Sequence, residues 1–280
     1  MIKSLFRYFY YLIYDLLKIF INLKLTNNFI ILYPRIISLI LKNVLIFDKI
    51  KKNFFFQKIR DYNDLLTVHE VFSEENYNLK VFNNHKDILI EYHKILELKN
   101  LPLVIDCGSN IGSSSVYFNK IFPTSNILSI EPDKNSYEFS KKNLKFRNSL
   151  LINKAVNCEK NDINFFSDIT DNRASRVTNR GGDIVKSITI NDLINDLISK
   201  NNKPFLIKID IEGFESMLFS KNYEWINEFK VIIVEIHDWM LPKESNSFNL
   251  LNALVQTMSK KNKRDLLISD ENLISIRIDE

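Results

Sequence analysis

Five short apolar runs recur from residue 103 onward in this sequence: LVIDC (103–107), ILSIE (127–131), LLIN (150–153), FLIKID (205–210) and VIIVEI (231–236). Each is short, aliphatic and rich in β-branched residues, the signature of a strand buried on both faces. Amphipathic helical patterns stand between most of them, at 113–121, 134–146, 191–199 and 213–220. Alternation of this kind implies a parallel sheet wrapped by helices on both sides, with ligands at the carboxyl ends of the strands. Near the end, DLLIS and LISIRI flank the turn-forming DEN, so a terminal hairpin completes the sheet. The expected fold is α/β, a doubly wound, mostly parallel seven-stranded sheet. Residues 61–100 bridge into it, and the polar stretch SDITDNRASRVTNRGGD (167–183) reads as a long, substrate-facing loop between INFF and VKSITI.

The first of these runs leads into VIDCGSNIGSSSVYF (104–118), an acid followed by two glycines and a helix start. A P-loop needs Gly-Lys-Ser/Thr, but Ser113 follows Gly112, so the phosphate-gripping lysine is missing. A dinucleotide fingerprint would place its first glycine where Asp106 stands, and a carboxylate there would face the pyrophosphate. S-adenosylmethionine reverses that logic. Its ammonium suits Asp106, its carboxylate suits backbone N–H groups at the helix start, and it brings no pyrophosphate. A second acid is then expected one strand-helix-strand unit later, to accept both ribose hydroxyls. Glu131 ends the next strand and fills that place, Pro132 stiffens the turn, and Asp133 is within reach of an adenine amino group. The expected cofactor-binding residues are Asp106, Gly108, Asn110, Gly112, Glu131 and Asp133.

Chemistry is expected at the ends of the two strands that follow. KIDIEGFES (208–216) presents Lys208, Asp210, Glu212 and Glu215 where a strand passes into a helix, and VIIVEIHDW brings Glu235, His237 and Asp238 to the same edge. Charges closing an apolar strand at the ligand edge are not ordinary solvation. Methyl transfer to a hydroxyl is an in-line displacement in which the acceptor oxygen loses its proton. His237 is the first candidate for the base, with Asp210 and Glu212 as alternatives; each could instead orient the acceptor or bind a metal. The four histidines and two cysteines show no zinc-ligand spacing, so no metal site is read from the sequence, and no disulfide framework either.

Residues 1–60 carry eleven Lys/Arg against Asp15 and Asp48, while the whole chain is only +4. The apolar stretch MIKSLFRYFYYLIYDLLKIFINL is broken by Asp15 and Lys18, too short to span a bilayer and without a small-residue cleavage site. It reads as a basic amphipathic helix, and RIISLILKNVLIF after Pro34 as a second one, with Arg35, Ser38, Lys42 and Lys49 on its polar face. Residues 1–60 are thus expected to form a helical extension and 61–280 the catalytic domain. Two roles fit such helices: packing on the domain or across a homodimer, and lying in the plane of an anionic membrane. The accompanying aromatics and leucines favour membrane over nucleic acid. The corresponding location is the cytoplasm, at the inner face of the membrane if the helices bind it.

Assembled, these motifs resemble the FkbM-type family of S-adenosylmethionine-dependent methyltransferases. The resemblance runs from about residue 67 to 240. It is carried by EVFSEENY (70–77), VIDCGSNIGSSSVYF, IEPD (130–133), AVNCEK (155–160), SITINDL (187–193), KIDIEGFE (208–215) and VIIVEIHD (231–238). It implies a Rossmann-like class I methyltransferase fold and methylation of a hydroxyl on a sugar, glycan or polyketide. Asp106, Gly108, Asn110 and Gly112 match the family's glycine motif, Glu131 its ribose acid, and Asp210, Glu212 and Gly213 its acidic-glycine motif. Asn191 stands where the family has Asp, and Asn157 where it has Gly. The expected activity is O-methyl transfer to a sugar or surface-glycan precursor. Its rivals are an NAD-dependent sugar oxidoreductase and a non-catalytic cofactor-binding module of a glycan-assembly complex.

Overall fold

The computed structural model describes residues 27–166, 176–177, 183–198, 201–238, 245–259 and 262–278, together with Ile13, Tyr14, Leu17 and Lys243. Most of the helix expected over the first 23 residues, and most of the loop expected at 167–183, lie outside the described residues. The chain forms two compact units, residues 1–77 and 78–280.

In the first unit, strands β1 (Phe29–Ile31), β2 (Asn43–Asp48) and β3 (Asn53–Lys58) form an antiparallel sheet in sequence order. The expectation of one helix through RIISLILKNVLIF is corrected here. Helix α1 covers only Arg35–Leu41, because Lys42 takes a left-handed conformation (φ 52°) that turns the chain into β2. From there burial alternates residue by residue, with Val44 and Ile46 inside, which is the period of a strand. The polar face is inverted as well: Ser38 is buried, while Ile36, Ile37, Ile40 and Leu41 are exposed. Helix α2 (Tyr62–His69) is capped by the Asp61 side chain and runs into a π-helical turn, Glu70–Glu74. The buried Glu75 then accepts the backbone N–H of Asn28 and of Phe29, which ties the turn to the start of β1.

The second unit opens with helix α3 (His85–Glu97) and builds one seven-stranded sheet. Its strands are β4 (Leu101–Cys107), β5 (Asn126–Ile130), β6 (Ser149–Ile152), β11 (Asn202–Ile209), β12 (Val231–Glu235), β13 (Lys263–Ser269) and β14 (Asn272–Ile278). The order is β13-β14-β12-β11-β4-β5-β6. The five strands from β6 to β12 run parallel, and β14 pairs antiparallel with both β12 and β13. All seven strands expected from the sequence are present, in a doubly wound, mostly parallel sheet. The order reverses on either side of β4, so the turn after β4 and the end of β11 face the crevice where such sheets bind ligands.

Aliphatic side chains of β4, β11 and β12, among them Ile105, Ile207, Ile209, Ile232 and Val234, join Leu193, Ile194 and Leu197 in one core. The last three belong to helix α6 (Ile190–Ile198). Tyr92 of α3 stacks with Phe122 and Phe205 in a separate aromatic cluster. Each fully buried side chain of this size contributes about 1.5–3 kcal/mol. Beside the main sheet, β7 (Ala155–Val156), β8 (Asp162–Phe166), β9 (Arg176–Val177) and β10 (Asp183–Ile188) form a small sheet in the order β7-β10-β8-β9. INFF and VKSITI are thus paired antiparallel strands. Among the described residues no helix is long and apolar enough to cross a membrane.

Candidate active site

At the carboxyl end of β4 the chain turns sharply under the ends of its neighbours. The N–H groups of Gly108 and Ser109 both donate to Ile130 O of β5, at 3.0 and 3.1 Å. Gly108 (φ 74°), Asn110 (φ 45°) and Gly112 (φ 85°) all lie in the left-handed region. Gly112 then leads into helix α4 (Ser113–Ile121). Gly108 has no room for a side chain: a Cβ there would stand 1.7 Å from Asp210 O. The glycine is what allows β4 and β11 to end side by side.

Glu131 closes this turn from the side of β5. Its Oε2 accepts the Asn110 N–H at 2.7 Å and its Oε1 accepts the Asp133 N–H at 2.8 Å. Burial pushes its pKa up to about 7, against the pull of the Asp133 and Asn110 N–H groups. Each oxygen retains a lone pair for a further donor, as binding a vicinal diol requires. Asp133 caps helix α5 (Lys134–Ser140) by accepting the Ser136 N–H at 2.7 Å. Its carboxylate is therefore engaged in local structure, and an adenine contact would have to share it.

Asp106, expected to face the cofactor's ammonium, has partners within the chain. It is fully buried, and its Oδ2 accepts the hydroxyls of Ser114 (2.6 Å) and Ser115 (2.5 Å) from the first turn of α4. Lys208 Nζ lies 3.4 Å from its Oδ1, 3.0 Å from Asp210 Oδ2 and 3.0 Å from Gly108 O. Lys208 is itself buried, so it acts as a strut joining the ends of β4 and β11. Sequence reasoning missed this arrangement. The signal was the Ser114-Ser115 pair at the helix start, whose hydroxyls reach back to the strand they follow.

Across the turn, Asp210, Glu212, Glu215, Glu235 and His237 converge from the ends of β11 and β12. Their side chains are expected together, and the structure brings them together. His237 is 2% exposed; its Nε2 stands 3.5 Å from Glu235 Oε1, 3.6 Å from Glu212 Oε2 and 3.8 Å from Asp210 Oδ1. On the other side of the ring, Nδ1 meets Glu215 Oε1 at 3.1 Å. Glu215 begins helix α7 (Glu215–Leu218), and the same Oε1 accepts the Ile211 N–H at 3.0 Å. Burial and then the Asp210 charge raise the pKa of Glu212; the Asp210 charge and then burial raise that of Glu235. Burial works against a charged His237, but its bonds to Glu215 and Glu235 and the Asp210 charge outweigh it and raise its pKa.

Asp238, the last acid of that run, caps helix α8 (Asn246–Thr257) by accepting the Ser247 N–H at 3.0 Å, and also its hydroxyl. Asn157, where the family resemblance has glycine, is buried; its side chain bonds Asn161 and accepts the Cys158 N–H. Asn191 donates to Asn222 O, while neighbouring Asp192 accepts the Thr189 hydroxyl and pairs with Lys160 at 2.9 Å.

Residues 106–264, from the strut acid to the start of the terminal hairpin, match the family described as the methyltransferase FkbM domain. The chain belongs to the FkbM methyltransferase family. It is an S-adenosylmethionine-dependent methyltransferase, and its sheet is the Rossmann-like one of the class I enzymes. It is similar to the hexuronic acid methyltransferase AglP of Haloferax volcanii, with 24% identity over 213 residues that cover 74% of this chain and 84% of AglP. It is also similar to the methyltransferase sdnD of Sordaria araneosa, with 32% identity over 75 residues, 26% of this chain. That match spans 29% of the length of sdnD. Among solved structures, a putative S-adenosylmethionine-dependent methyltransferase from Streptococcus mutans matches with a TM-score of 0.39 and 11% identity, covering 85% of this chain and 56% of that one. A putative caffeoyl-CoA O-methyltransferase from Staphylococcus aureus matches at 0.38 and 15%, covering 76% and 91%.

The residues of this FkbM domain fit the cofactor. A side-chain-free turn at Gly108 allows close approach to the backbone, and Glu131 holds a buried carboxylate with spare lone pairs beside it. If the ribose hydroxyls donate to ionised Glu131, affinity should rise from about pH 6 to pH 8, around the pKa of about 7. S-adenosylhomocysteine titrated calorimetrically across that range should bind wild type more tightly at the upper end. Glu131→Gln should bind about 10–100-fold more weakly there, the worth of hydrogen bonds to a charged group, with a flat pH profile. For stability the sign is opposite. The folded pKa lies above the ordinary 4.5, so the stabilisation from this group is full below pH 4.5 and is lost as pH rises through about 7. An unchanged affinity in Glu131→Gln would remove the ribose role.

Proposed function

We propose that this enzyme is an O-methyltransferase acting on a hydroxyl of a sugar or glycan precursor. The observation that carries the reading is the cluster of Asp210, Glu212, Glu235 and His237 opposite the glycine turn. Its open side is lined by acids, with Asp210, Glu212 and Glu235 side chains 20%, 26% and 23% exposed. Such a set of carboxylates accepts hydrogen bonds from a polyhydroxylated acceptor. The similarity to a hexuronic acid methyltransferase supports the same class of acceptor.

S-adenosylmethionine supplies an electrophilic methyl: the acceptor oxygen's electron pair forms the new carbon–oxygen bond, the methyl–sulfur pair returns to sulfur, and one proton leaves the hydroxyl. Asp210, Glu212 and His237 orient that hydroxyl, and a carboxylate of the cluster receives its proton. Glu215 holds the imidazole in place through Nδ1, leaving Nε2 toward the acceptor side. Lys208 keeps Asp210 at the strand end, and the buried core beneath excludes water from below.

The test is a transfer assay with methyl-labelled cofactor against free sugars, sugar nucleotides and lipid-linked glycans, with products read by mass spectrometry. A methyl ether on a sugar hydroxyl is the expected product. Glu212→Gln and His237→Gln are each expected to lower transfer by 10²-fold or more, while binding of S-adenosylhomocysteine stays within a few-fold. Labelled product from aromatic acceptors alone would overturn the reading. Tight cofactor binding with no product from any acceptor would favour the non-catalytic module instead.

A further inference from the structure

We infer that Asp210, Glu212 and His237, with Glu235 beside them, form a binding site for one divalent cation of the Mn²⁺/Mg²⁺ class. One ligand atom from each of the first three lies within 4.8 Å of the others. His237 makes this more than a group of acids. Its ring is almost wholly buried, and Nε2 faces Glu235, Glu212 and Asp210 at 3.5–3.8 Å, ion-pair rather than short hydrogen-bond distances. Donors spaced in this way surround a gap that a cation bonded at about 2.0–2.2 Å would close.

Two further observations point to a ligand rather than to solvated charge. Asp210 Oδ1, the oxygen turned toward His237, is buried and has no hydrogen-bond partner, although Asp210 Oδ2 is engaged by Lys208. A buried carboxylate oxygen left unpaired is costly unless something else occupies it. Next, Glu215 Oε1 lies 3.1 Å from Nδ1 and is itself fixed by the Ile211 N–H. With Nδ1 held by this carboxylate, Nε2 is the ring nitrogen turned into the cluster, where a cation would take the place of its proton, which is how metal-binding histidines are oriented. Three carboxylates with one imidazole are a mainly hard donor set, favouring Mn²⁺ and Mg²⁺ over ions that need thiolates.

This inference rests on the methyl-transfer reading only for its purpose. A cation here would bind the acceptor hydroxyl, lower its pKa and fix its position for in-line attack, with the released proton passing to solvent or to a carboxylate of the cluster. It would also cancel charge that otherwise repels an anionic sugar from this carboxylate rim. The site itself is tested without turnover. The full chain, stripped with chelator and dialysed, is titrated with Mn²⁺, and free ion is followed by its electron paramagnetic resonance signal. One bound Mn²⁺ per chain is expected, displaceable by Mg²⁺. His237→Gln and Asp210→Asn should each weaken it by 10-fold or more, while both variants keep a cooperative melt and their affinity for S-adenosylhomocysteine. The absence of stoichiometric binding, or binding indifferent to both substitutions, overturns the site. Bound Mn²⁺ with no sugar methylation would leave the site standing and remove the function proposed above. Methylation at full rate in the chelated protein would do the reverse.

Discussion

Gly108→Ala should leave a protein that neither melts at the wild-type temperature nor binds S-adenosylhomocysteine measurably. Two costs combine. The backbone there has φ 74°, a left-handed conformation that costs a residue with a Cβ about 1–2 kcal/mol. The larger one is steric, because the new Cβ would lie 1.7 Å from the carbonyl oxygen of Asp210, and that oxygen is backbone that cannot swing aside. Relief requires β4 and β11, the central pair of the sheet, to part at their carboxyl ends. That would also disturb the Asp210 N–H bond to Cys107 O, 3.1 Å. A total of roughly 4 kcal/mol or more is expected, in the exceptional range for a single substitution. Gly112→Ala provides the contrast. Its Cβ would meet only the Leu144 side chain, at 2.9 Å from Cδ2, which can rotate. Its cost should stay near the backbone term, about 1–2 kcal/mol. Equal losses in denaturant unfolding of the two variants would show that the contact with Asp210 is not the cause.

Lys208→Met is expected to destabilise by about 3–5 kcal/mol, the usual effect of removing one partner from a buried ionic group. Lys208 Nζ lies within 3.4 Å of Asp106 Oδ1 and within 3.0 Å of both Asp210 Oδ2 and Gly108 O. Methionine fills the volume but leaves two carboxylates facing each other without a cation, and Asp106 is fully buried. The double variant Lys208→Met, Asp106→Asn removes one of those charges and should recover part of the loss. Because Asp106 is held from the other side by Ser114 and Ser115, an amide there keeps an acceptor for a hydroxyl. A Lys208→Met protein within 1 kcal/mol of wild type in urea unfolding would mean that the strut is not structural.

The strands of the main sheet were legible because burial on both faces leaves an uninterrupted aliphatic run, and the chain says so locally. Leu101–Cys107 and Val231–Glu235 needed no partner to be recognised. The segment after Pro34 was misread because Arg35, Ser38 and Lys42 fit a helical period, yet Lys42 adopts a left-handed turn and Val44–Ile46 pair into a sheet. Helix propensity of RIISLILKNVLIF is decided by strand pairing with Phe29–Ile31 and Asn53–Lys58, which no local pattern contains. Helix Asn246–Thr257 went unread for a similar reason: its first turn is fixed by the Asp238 carboxylate, nine positions back.

The candidate site divides in the same way. Glycines at 108 and 112, an acid ending each of two strands, and the run KIDIEGFE are local statements, and they were enough to indicate the cofactor and the family. The chain's own residues also determined which charges could meet, since strand alternation sends them to one edge. Tertiary structure decided what each charge does there. Asp106 and Lys208 are 102 positions apart but lie beside each other because β4 and β11 are neighbours, and their pairing gives the buried Asp106 a cation from the chain itself. Glu215 orients His237 only because the start of α7 lies beside the residues that follow β12. Strand identity is a short-range property of hydrophobic period; the role of a carboxylate depends on which partner reaches it first, and that is set by sheet order.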